Sequence, residues 1–193
     1  MLDACHTHRP NTKGNKMKLN LGCFNKQLPG FVNVDIREDV SPDVVDNAFT
    51  LKKFENNSAD VIYASHILEH LDYQETQKAL SRWFDVLKVG GILRLAVPDL
   101  EAVFAHYFYH QDLDVLMHMV YGSQRHDFDF HKNGWDYSRL QRDLLAVGFK
   151  DIRKWDWRAT EPHNYCDDYS QAYCPHMDKE NGKLMSLNVE AIK

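Results

Sequence analysis

The stretch KLNLGCFNKQLPGFVNVDI, residues 18–36, decides the fold. Two apolar runs, residues 19–21 and 31–36, flank a loop that begins with Gly22, and the second run carries Asp35 near its end. An α/β sheet holds a nucleoside with this arrangement, because glycine lets the backbone approach the ligand and the carboxylate accepts hydrogen bonds from a ribose diol. We therefore expect a nucleoside site where the two strands end.

The loop between these strands differs from the glycine-rich loops that bind phosphate. Cys23 and Phe24 follow Gly22, so the GxGxxG pattern is absent. Only about nine residues separate the strands, fewer than the dozen or so of a helical crossover. A phosphate would need a helix N-terminus here, so the loop favours a nucleoside without phosphates, such as S-adenosylmethionine. Gly22 and Asp35 are also common turn and strand-end residues, and the rest of the chain has to decide between these interpretations.

Length and composition limit the classes of protein to be considered. With 193 residues, the chain is expected to form a single domain over residues 1–193, and it is short for a (β/α)8 barrel. The hydrophobic fraction of 44% indicates a globular protein rather than a disordered one. Since the formal net charge is −5, neither a nucleic acid nor a membrane surface is an expected partner.

Cysteine usage and hydropathy predict a cytoplasmic location. The four cysteines, Cys5, Cys23, Cys166 and Cys174, form no CxxC pair and are too few for a disulfide scaffold, so reduced thiols are expected. The first 16 residues are polar and carry no signal-peptide pattern. No apolar run approaches the length of a membrane span.

After a predicted mobile tail, residues 1–16, strands alternate with helices. Apolar runs predict strands at residues 18–21, 32–36, 44–45, 60–65, 92–97, 149–157 and 184–192. Apolar residues at helical spacing predict helices at residues 72–87, from 99 onward, and at 136–147. Asp72 and Glu75 are expected to form a capping box at the first helix, and Gly90 and Gly91 are expected to end it.

The helix that starts at Asp99 is expected to bury one apolar face. That face consists of Leu100, Val103, Phe104 and Tyr107. Two segments rich in polar and aromatic residues, about 106–135 and 159–182, are predicted to be substrate-side loops or a lid. The alternation as a whole predicts a three-layer α/β sheet with an antiparallel pair of strands at one edge.

Five motifs in this chain resemble those of the class I S-adenosylmethionine-dependent methyltransferases, in particular the small proteins with a type 11 methyltransferase domain. They are LNLGC (19–23), VNVDI (32–36), ADVIYASHILEHL (59–71), VLKVGGILRLAVPDL (86–100) and AVGFKDI (146–152). The resemblance implies a Rossmann-like sheet of order 3-2-1-4-5-7-6 with an antiparallel strand 7. It also implies S-adenosylmethionine as cofactor, with S-adenosylhomocysteine as product, above the carboxyl ends of strands 1 to 4.

The resemblance assigns cofactor-binding roles by position. Around the methionine part and the sulfonium it places Leu21, Gly22, Cys23, Ala64, Ser65 and His66. Around the nucleoside it places Asp35 at the ribose, Ile36 on adenine, and Asp46 and Asn47 at the adenine edge. A plain loop acid is an equally good interpretation of Asp46. Two departures from the family pattern are Phe24 in place of the second glycine and a shortened or missing helix after strand 1.

Methyl transfer is an in-line displacement at the sulfonium carbon, and a hydroxyl acceptor needs a base near its proton. Histidine has a suitable ordinary pKa for that role. We predict His66, at the end of the fourth strand, or His131, in DFDFHKNGW, as the catalytic base. The alternatives are a backbone-bonded first-turn residue for His66 and a cap or packing contact for His131. The predicted acceptor is a small molecule or a glycan hydroxyl.

Two other functions fit parts of the sequence. A protein on the same fold that binds S-adenosylmethionine or S-adenosylhomocysteine without turnover is one, because fold alone does not establish activity. The other is a zinc hydrolase, because HxxEH at residues 66–70 matches an inverted zinc-protease pattern with His66 and His70 as ligands and Glu69 as base. Since the same letters match the methyltransferase motif, no metal ligand is predicted. The sequence leaves the acceptor, the methylated atom and the oligomeric state open.

Overall fold

The computed structural model describes residues 16–125, 128–160 and 167–193. Its strands are β1 (Lys18–Leu21), β2 (Val32–Asp35), β3 (Val44–Val45), β4 (Ala59–Ser65), β5 (Leu87–Pro98), β6 (Lys150–Lys154), β7 (Tyr173–Cys174), β8 (Lys183–Leu184) and β9 (Ser186–Ile192). Its α-helices are α1 (Tyr73–Val86), α2 (Leu100–His110), α3 (Met117–Tyr121) and α4 (Tyr137–Val147). Short 3-10 turns cover Glu38–Val40, Leu68–His70, Asp114–Leu116 and Tyr169–Gln171.

Seven of the strands form one mixed sheet of order β3-β2-β1-β4-β5-β9-β6, and β7 pairs with β8 in a separate hairpin. Strand β9 is antiparallel to both of its neighbours, whereas the other pairs in the sheet are parallel. Because β9 is the seventh strand of the sheet in chain order, the predicted order 3-2-1-4-5-7-6 with an antiparallel strand 7 is confirmed.

One face of the sheet is covered by α1 and α4. Leu80 and Trp83 of α1 and Leu140 and Leu144 of α4 are fully buried in the same apolar cluster as Ile62 of β4. These helices place apolar residues at the spacing of one helical face, so each removes a continuous stripe from water when it packs on the sheet. Trp83 of α1 thus belongs to the core, as the sequence predicts.

The opposite face is covered by loops. Side chains alternate between the two faces of a strand, so Ile62 packs beneath the helices whereas Tyr63 packs with Leu28, Phe31 and Trp155. The segment between β1 and β2 contains no helix. It supplies Leu28 and Phe31 to this layer instead, so the predicted shortening or loss of the helix after strand 1 is confirmed.

The start of α1 follows the prediction and its end does not. Asp72 and Glu75 form the capping box, in which each side chain accepts the other residue's backbone N–H. The helix ends before Leu87, which already has an extended conformation. Gly90 and Gly91 therefore lie inside β5 and do not end the helix.

The predicted apolar face of α2 is wrong for two residues. Phe104 is 63% exposed and Tyr107 is 47% exposed, whereas Ala102 and Val103 are buried. The buried side of α2 packs in a small cluster with Met185 and residues of the following turn. A narrow stripe of the helix is enough to cover so small a cluster, and the larger aromatic side chains are left outside it.

The two segments predicted as substrate-side loops contain more regular structure than expected. Residues 106–135 include the end of α2, a 3-10 turn and α3, and residues 159–182 include a second 3-10 turn and β7. Residues 126–127 and 161–166 lie outside the described residues, as do residues 1–15 of the predicted tail. Within the described ranges, no helix is long and apolar enough to cross a membrane.

Replacing Asp72 should show how much the N-terminus of α1 contributes to stability. Asp72→Ala removes the acceptor of two backbone N–H groups. We expect the free energy of unfolding, measured by urea denaturation, to fall by about 1 kcal/mol. Asp72→Ser keeps a capping oxygen and should lose clearly less. Equal losses in the two variants would mean that capping is not the stabilising interaction.

Candidate functional site

The carboxyl ends of β1, β2 and β4 form one edge of the sheet, where the predicted cofactor residues meet. Leu21 at the end of β1 pairs with Val34 on one side and with Ala64 on the other. The backbone N–H of Asp46 donates to the carbonyl oxygen of Asp35 over 3.0 Å, which joins the loop after β3 to the same edge. In open α/β sheets this is the edge at which ligands bind.

Gly22 lies where the chain turns away from β1. Its φ of +61° is in the left-handed region, which favours glycine. A Cβ atom at this position would overlap the Cγ2 atom of Ile67, which lies just after β4. Glycine is therefore required for the close approach of the two loops that follow β1 and β4.

Asp35 fixes the start of the loop after β1. One of its carboxylate oxygens accepts the backbone N–H of Phe24 over 2.8 Å, and the other accepts that of Arg37 over 3.0 Å. A carboxylate offers about four acceptor positions, so two remain for the hydroxyls of a ribose. The side chain is buried, and its orientation is set before a ligand binds.

Phe24, which stands in place of the second glycine of the family pattern, points outward. Its side chain is 46% exposed, and the guanidinium carbon of Arg37 lies 5.2 Å from the centre of its ring. The ring therefore does not fill the edge between β1 and β2. Ile36 is 47% exposed beside Asp35 and presents an apolar surface of the kind that packs against adenine.

Asp46 and Asn47 organise their own loop. The carboxylate of Asp46 accepts the backbone N–H groups of Asn47 and Lys53, each over 2.8 Å. The side-chain oxygen of Asn47 accepts the N–H of Phe49 over 2.8 Å. These hydrogen bonds favour the plain loop-acid interpretation of Asp46.

Cys23 is buried beneath this edge. Burial, together with the negative charges of Asp35 and Asp43, raises the pKa of the Cys23 thiol to about 12. The sulfur therefore stays protonated at neutral pH and packs as a small apolar group.

His66 follows β4 directly, and protein groups occupy both of its ring nitrogens. Its Nε2 lies 3.0 Å from Oγ of Ser186, and that hydroxyl donates to Oδ1 of Asn188 over 2.9 Å. The single hydrogen of the hydroxyl is used there, so His66 Nε2 must carry a hydrogen and donate it to Ser186. Its Nδ1 lies 3.2 Å from Oε1 of Glu69. Both ring nitrogens of His66 thus face protein groups.

Glu69, His70 and His131 form a second group at the end of β4. One ligand atom from each residue lies within 4.8 Å of the others. Nδ1 of His70 lies 3.1 Å from the carbonyl oxygen of Phe130, and Nδ1 of His131 lies 2.9 Å from that of Met119. Carbonyl oxygens only accept, so both Nδ1 atoms carry hydrogens and both Nε2 atoms keep free lone pairs.

The electrostatics of this group centre on the carboxylate of Glu69, which is fully buried. Burial raises the pKa of the Glu69 carboxyl, but the imidazoles of His66, His70 and His131 oppose this, and the pKa lies below its ordinary value. Burial lowers the pKa of His131, although the carboxylate of Glu69 opposes that shift. At neutral pH the group therefore pairs a buried carboxylate with a neutral imidazole of His131.

A cavity of about 1040 Å³ adjoins the group, between α2, α3 and the β7–β8 hairpin. Its imidazoles come from His66, His70, His106, His110, His118, His131 and His176. Among the predicted cofactor residues, His66 is the one that lines the cavity. The cavity and the predicted cofactor edge therefore meet at His66.

The structure does not form the zinc-hydrolase site that HxxEH suggested. That pattern needs His66 and His70 as ligands and Glu69 as a free base. Instead Glu69 groups with His70 and His131, and His66 bonds to Ser186. Sequence reasoning missed this group because its members come from distant segments. The sequence did offer two signals for this group. Glu69 closely follows the apolar run of β4, and histidines are frequent between His106 and His131.

Comparisons with known proteins identify the fold. The family model for a methyltransferase domain matches residues 27–95, from the loop before β2 into β5. An S-adenosylmethionine-dependent methyltransferase from Archaeoglobus fulgidus superposes with a TM-score of 0.57 at 17% identity, covering 94% of this chain and 87% of that chain. The chain has the class I methyltransferase fold.

Two further solved structures share this methyltransferase fold. One from Thermotoga maritima has a TM-score of 0.61 at 11% identity, covering 94% of this chain and 84% of that chain. One from Listeria monocytogenes has a TM-score of 0.55 at 15% identity, covering 93% of this chain and 91% of that chain. No curated protein matches the sequence. The predicted resemblance is confirmed, and S-adenosylmethionine is the cofactor of this class.

The burial of Cys23 can be tested by alkylation with iodoacetamide at pH 9, where an exposed thiol is largely ionised. Because its pKa is about 12, Cys23 should stay protonated and react far more slowly in the native protein than in urea. Peptide mapping by mass spectrometry measures the rate for each cysteine, and the half-buried Cys174 serves as the internal reference. Labelling of Cys23 at its unfolded rate would contradict the burial.

Proposed function

We propose that this class I methyltransferase binds S-adenosylmethionine over the carboxyl ends of β1, β2 and β4 and methylates a hydroxyl of a small molecule or glycan held in the histidine-lined cavity. The observation that carries the proposal is the position of His66. It lies next to Ser65 at the predicted cofactor edge and also lines the cavity. A methyl group above His66 would thus face an acceptor in the cavity.

The cofactor half of the proposal rests on Asp35 and its neighbours. Asp35 has two acceptor positions left, and Ile36 offers an exposed apolar face beside it. The outward position of Phe24 leaves the nucleoside side of the edge open. These features match a ribose diol and an adenine ring, the nucleoside part of S-adenosylmethionine.

The acceptor half of the proposal rests on the cavity. Its volume of about 1040 Å³ is at the upper end of the range of small-molecule sites. Imidazoles and the aromatic residues Tyr109, Tyr169 and Tyr173 line it, which provides hydrogen-bonding groups and flat apolar surfaces together. Sugars present hydroxyl groups along their edges and C–H groups on their faces, so this lining suits a sugar or a similar polyol.

The reaction requires the acceptor oxygen to form a bond to the methyl carbon while the carbon–sulfur bond breaks, leaving S-adenosylhomocysteine. The hydroxyl proton must pass to a group with a free lone pair. Of the two predicted bases, His66 has a protein group in front of each ring nitrogen, whereas His131 keeps Nε2 free. We therefore assign the proton-accepting role to His131 and a positioning role to His66.

Asp35→Ala should weaken the binding of S-adenosylhomocysteine in calorimetric titration. Loss of a charged acceptor for the ribose corresponds to about 2–3 kcal/mol, or roughly 30- to 150-fold in the dissociation constant. Asp39→Ala is the matched control, because Asp39 is an exposed carboxylate that pairs with Arg37. An unchanged dissociation constant for Asp35→Ala would remove Asp35 from the site. The proposed function would be wrong if the wild type did not bind.

His131→Asn should slow methyl transfer by roughly 100-fold or more, since a general base typically contributes that much. The dissociation constant for S-adenosylhomocysteine should stay at its wild-type value, because His131 lies on the acceptor side. Methylated products of a panel of sugars and polyols can be measured by mass spectrometry. Turnover of His131→Asn at the wild-type rate would contradict the role of His131. Cofactor binding without turnover of any acceptor by the wild type would favour the non-catalytic function.

A further inference from the structure

The carboxylate of Glu69 is fully buried without a hydrogen bond from the described residues. Its side chain has no exposed surface, and among the described residues no hydrogen bond of acceptable geometry reaches either of its oxygens. His66 Nδ1 is close to Oε1 but out of line, and His131 Nε2 is 3.9 Å from the same oxygen. Leaving a buried charged oxygen without a hydrogen bond is costly, so a further partner for Glu69 is expected.

The imidazoles of His70 and His131 make the backbone hydrogen bond that is typical of metal-binding histidines. His70 and His131 each donate Nδ1–H to a backbone carbonyl, of Phe130 and Met119 respectively. Metal-binding histidines usually donate their second ring N–H in this way, which fixes the tautomer and aims the other nitrogen. One potential ligand atom from each of Glu69, His70 and His131 lies within 4.8 Å of the others, and Nε2 of His131 lies 3.9 Å from Oε1 of Glu69.

The backbone holds the two ligand-bearing segments together, the turn with Glu69 and His70 and the loop with His131. The carbonyl oxygen of Glu69 accepts the N–H groups of Lys132 over 2.8 Å and of Asn133 over 3.2 Å. Gly122 allows the segment before His131 to pass close by, because a Cβ atom there would overlap the carbonyl oxygen of Asp129. The group is therefore built on fixed backbone positions and not on free surface side chains.

We propose that Glu69, His70 and His131 bind a divalent transition-metal ion at the edge of the cavity. One carboxylate and two imidazoles suit ions such as Zn²⁺, Co²⁺ or Mn²⁺, whereas Mg²⁺ and Ca²⁺ prefer oxygen ligands. With metal–ligand bonds of about 2.1 Å, binding would draw the three atoms together by roughly an ångström. Rotation of the half-buried His70 side chain can supply that movement. The sequence analysis predicted no metal ligand, because the HxxEH letters also match the methyltransferase motif.

The role of the ion rests on the proposed function, to which the metal site adds a means of activating the acceptor hydroxyl. His70 and His131 line the cavity, so the open coordination positions face the acceptor. A bound ion would coordinate the acceptor hydroxyl and lower its pKa, in place of the imidazole of His131 acting as base. The proton then leaves to water in the cavity as the oxygen–carbon bond forms and the carbon–sulfur bond breaks.

The test is a titration of the EDTA-treated, dialysed protein of residues 1–193 with Co²⁺, followed by visible absorption, and with Zn²⁺, followed by calorimetry. We expect one ion per chain and absorption bands of Co²⁺ bound by nitrogen and oxygen ligands. His70→Asn, His131→Asn and Glu69→Gln should each weaken metal binding by more than roughly tenfold. Even the loss of a residue that only hydrogen-bonds to a metal ligand typically weakens metal binding by at least that factor. His118→Asn is the matched control for metal binding, because His118 lines the same cavity outside the group.

Binding of S-adenosylhomocysteine is measured on the same samples, and it reports both folding and the proposed function. Loss of Co²⁺ binding with an unchanged affinity for S-adenosylhomocysteine supports the metal site. If the wild type binds no ion but binds S-adenosylhomocysteine, the metal site is wrong and the proposed function stands. If His118→Asn weakens Co²⁺ binding as much as His131→Asn does, the cavity imidazoles bind the ion without specificity, and the proposed metal site is wrong.

Discussion

The hydrogen bonds to the backbone carbonyl of Glu69 are the constraint on which the acceptor side depends. Lys132 and Asn133 both donate to that oxygen, so the turn after β4 and the loop before α4 form one unit. His131 precedes these two residues and is carried next to the Glu69 side chain. The sheet fixes the turn, and the turn fixes the loop, so a core strand determines the position of a residue on a long connection.

The loops at the proposed cofactor site are held by a different interaction, hydrogen bonds from backbone N–H groups to buried carboxylates. No helix follows β1, so the loop there lacks the helical hydrogen bonds that would order it. Asp35 holds the start of this loop instead, because its carboxylate accepts the backbone N–H of Phe24 as well as that of Arg37. Asp46 does the same for the loop after β3, where its carboxylate accepts the N–H groups of Asn47 and Lys53. A buried carboxylate that accepts backbone N–H groups can thus order a loop that has no helix of its own.

Local patterns predicted the fold well and the acceptor side poorly. The strand of residues 60–65 and the capping box at Asp72 are visible in the sequence because each depends on neighbours in the chain. The exposed face of α2 was not predictable, since helical spacing shows that residues share a face but not whether a partner covers it. The contact of His70 with His131 was also hidden, because two loops far apart in sequence bring them together.

Most of the cavity lining lies outside the region that the family model matches, and this limits what the family match can transfer. The methyltransferase model covers residues 27–95, which include Asp35, the HxxEH turn and most of β5. The helices and hairpin that surround the cavity begin at α2 and lie beyond that match. Of the proposed metal group, Glu69 and His70 lie inside the matched region and His131 outside it. The region that the family model matches thus contains Asp35 and the buried Glu69, whereas most of the cavity lining comes from segments after it.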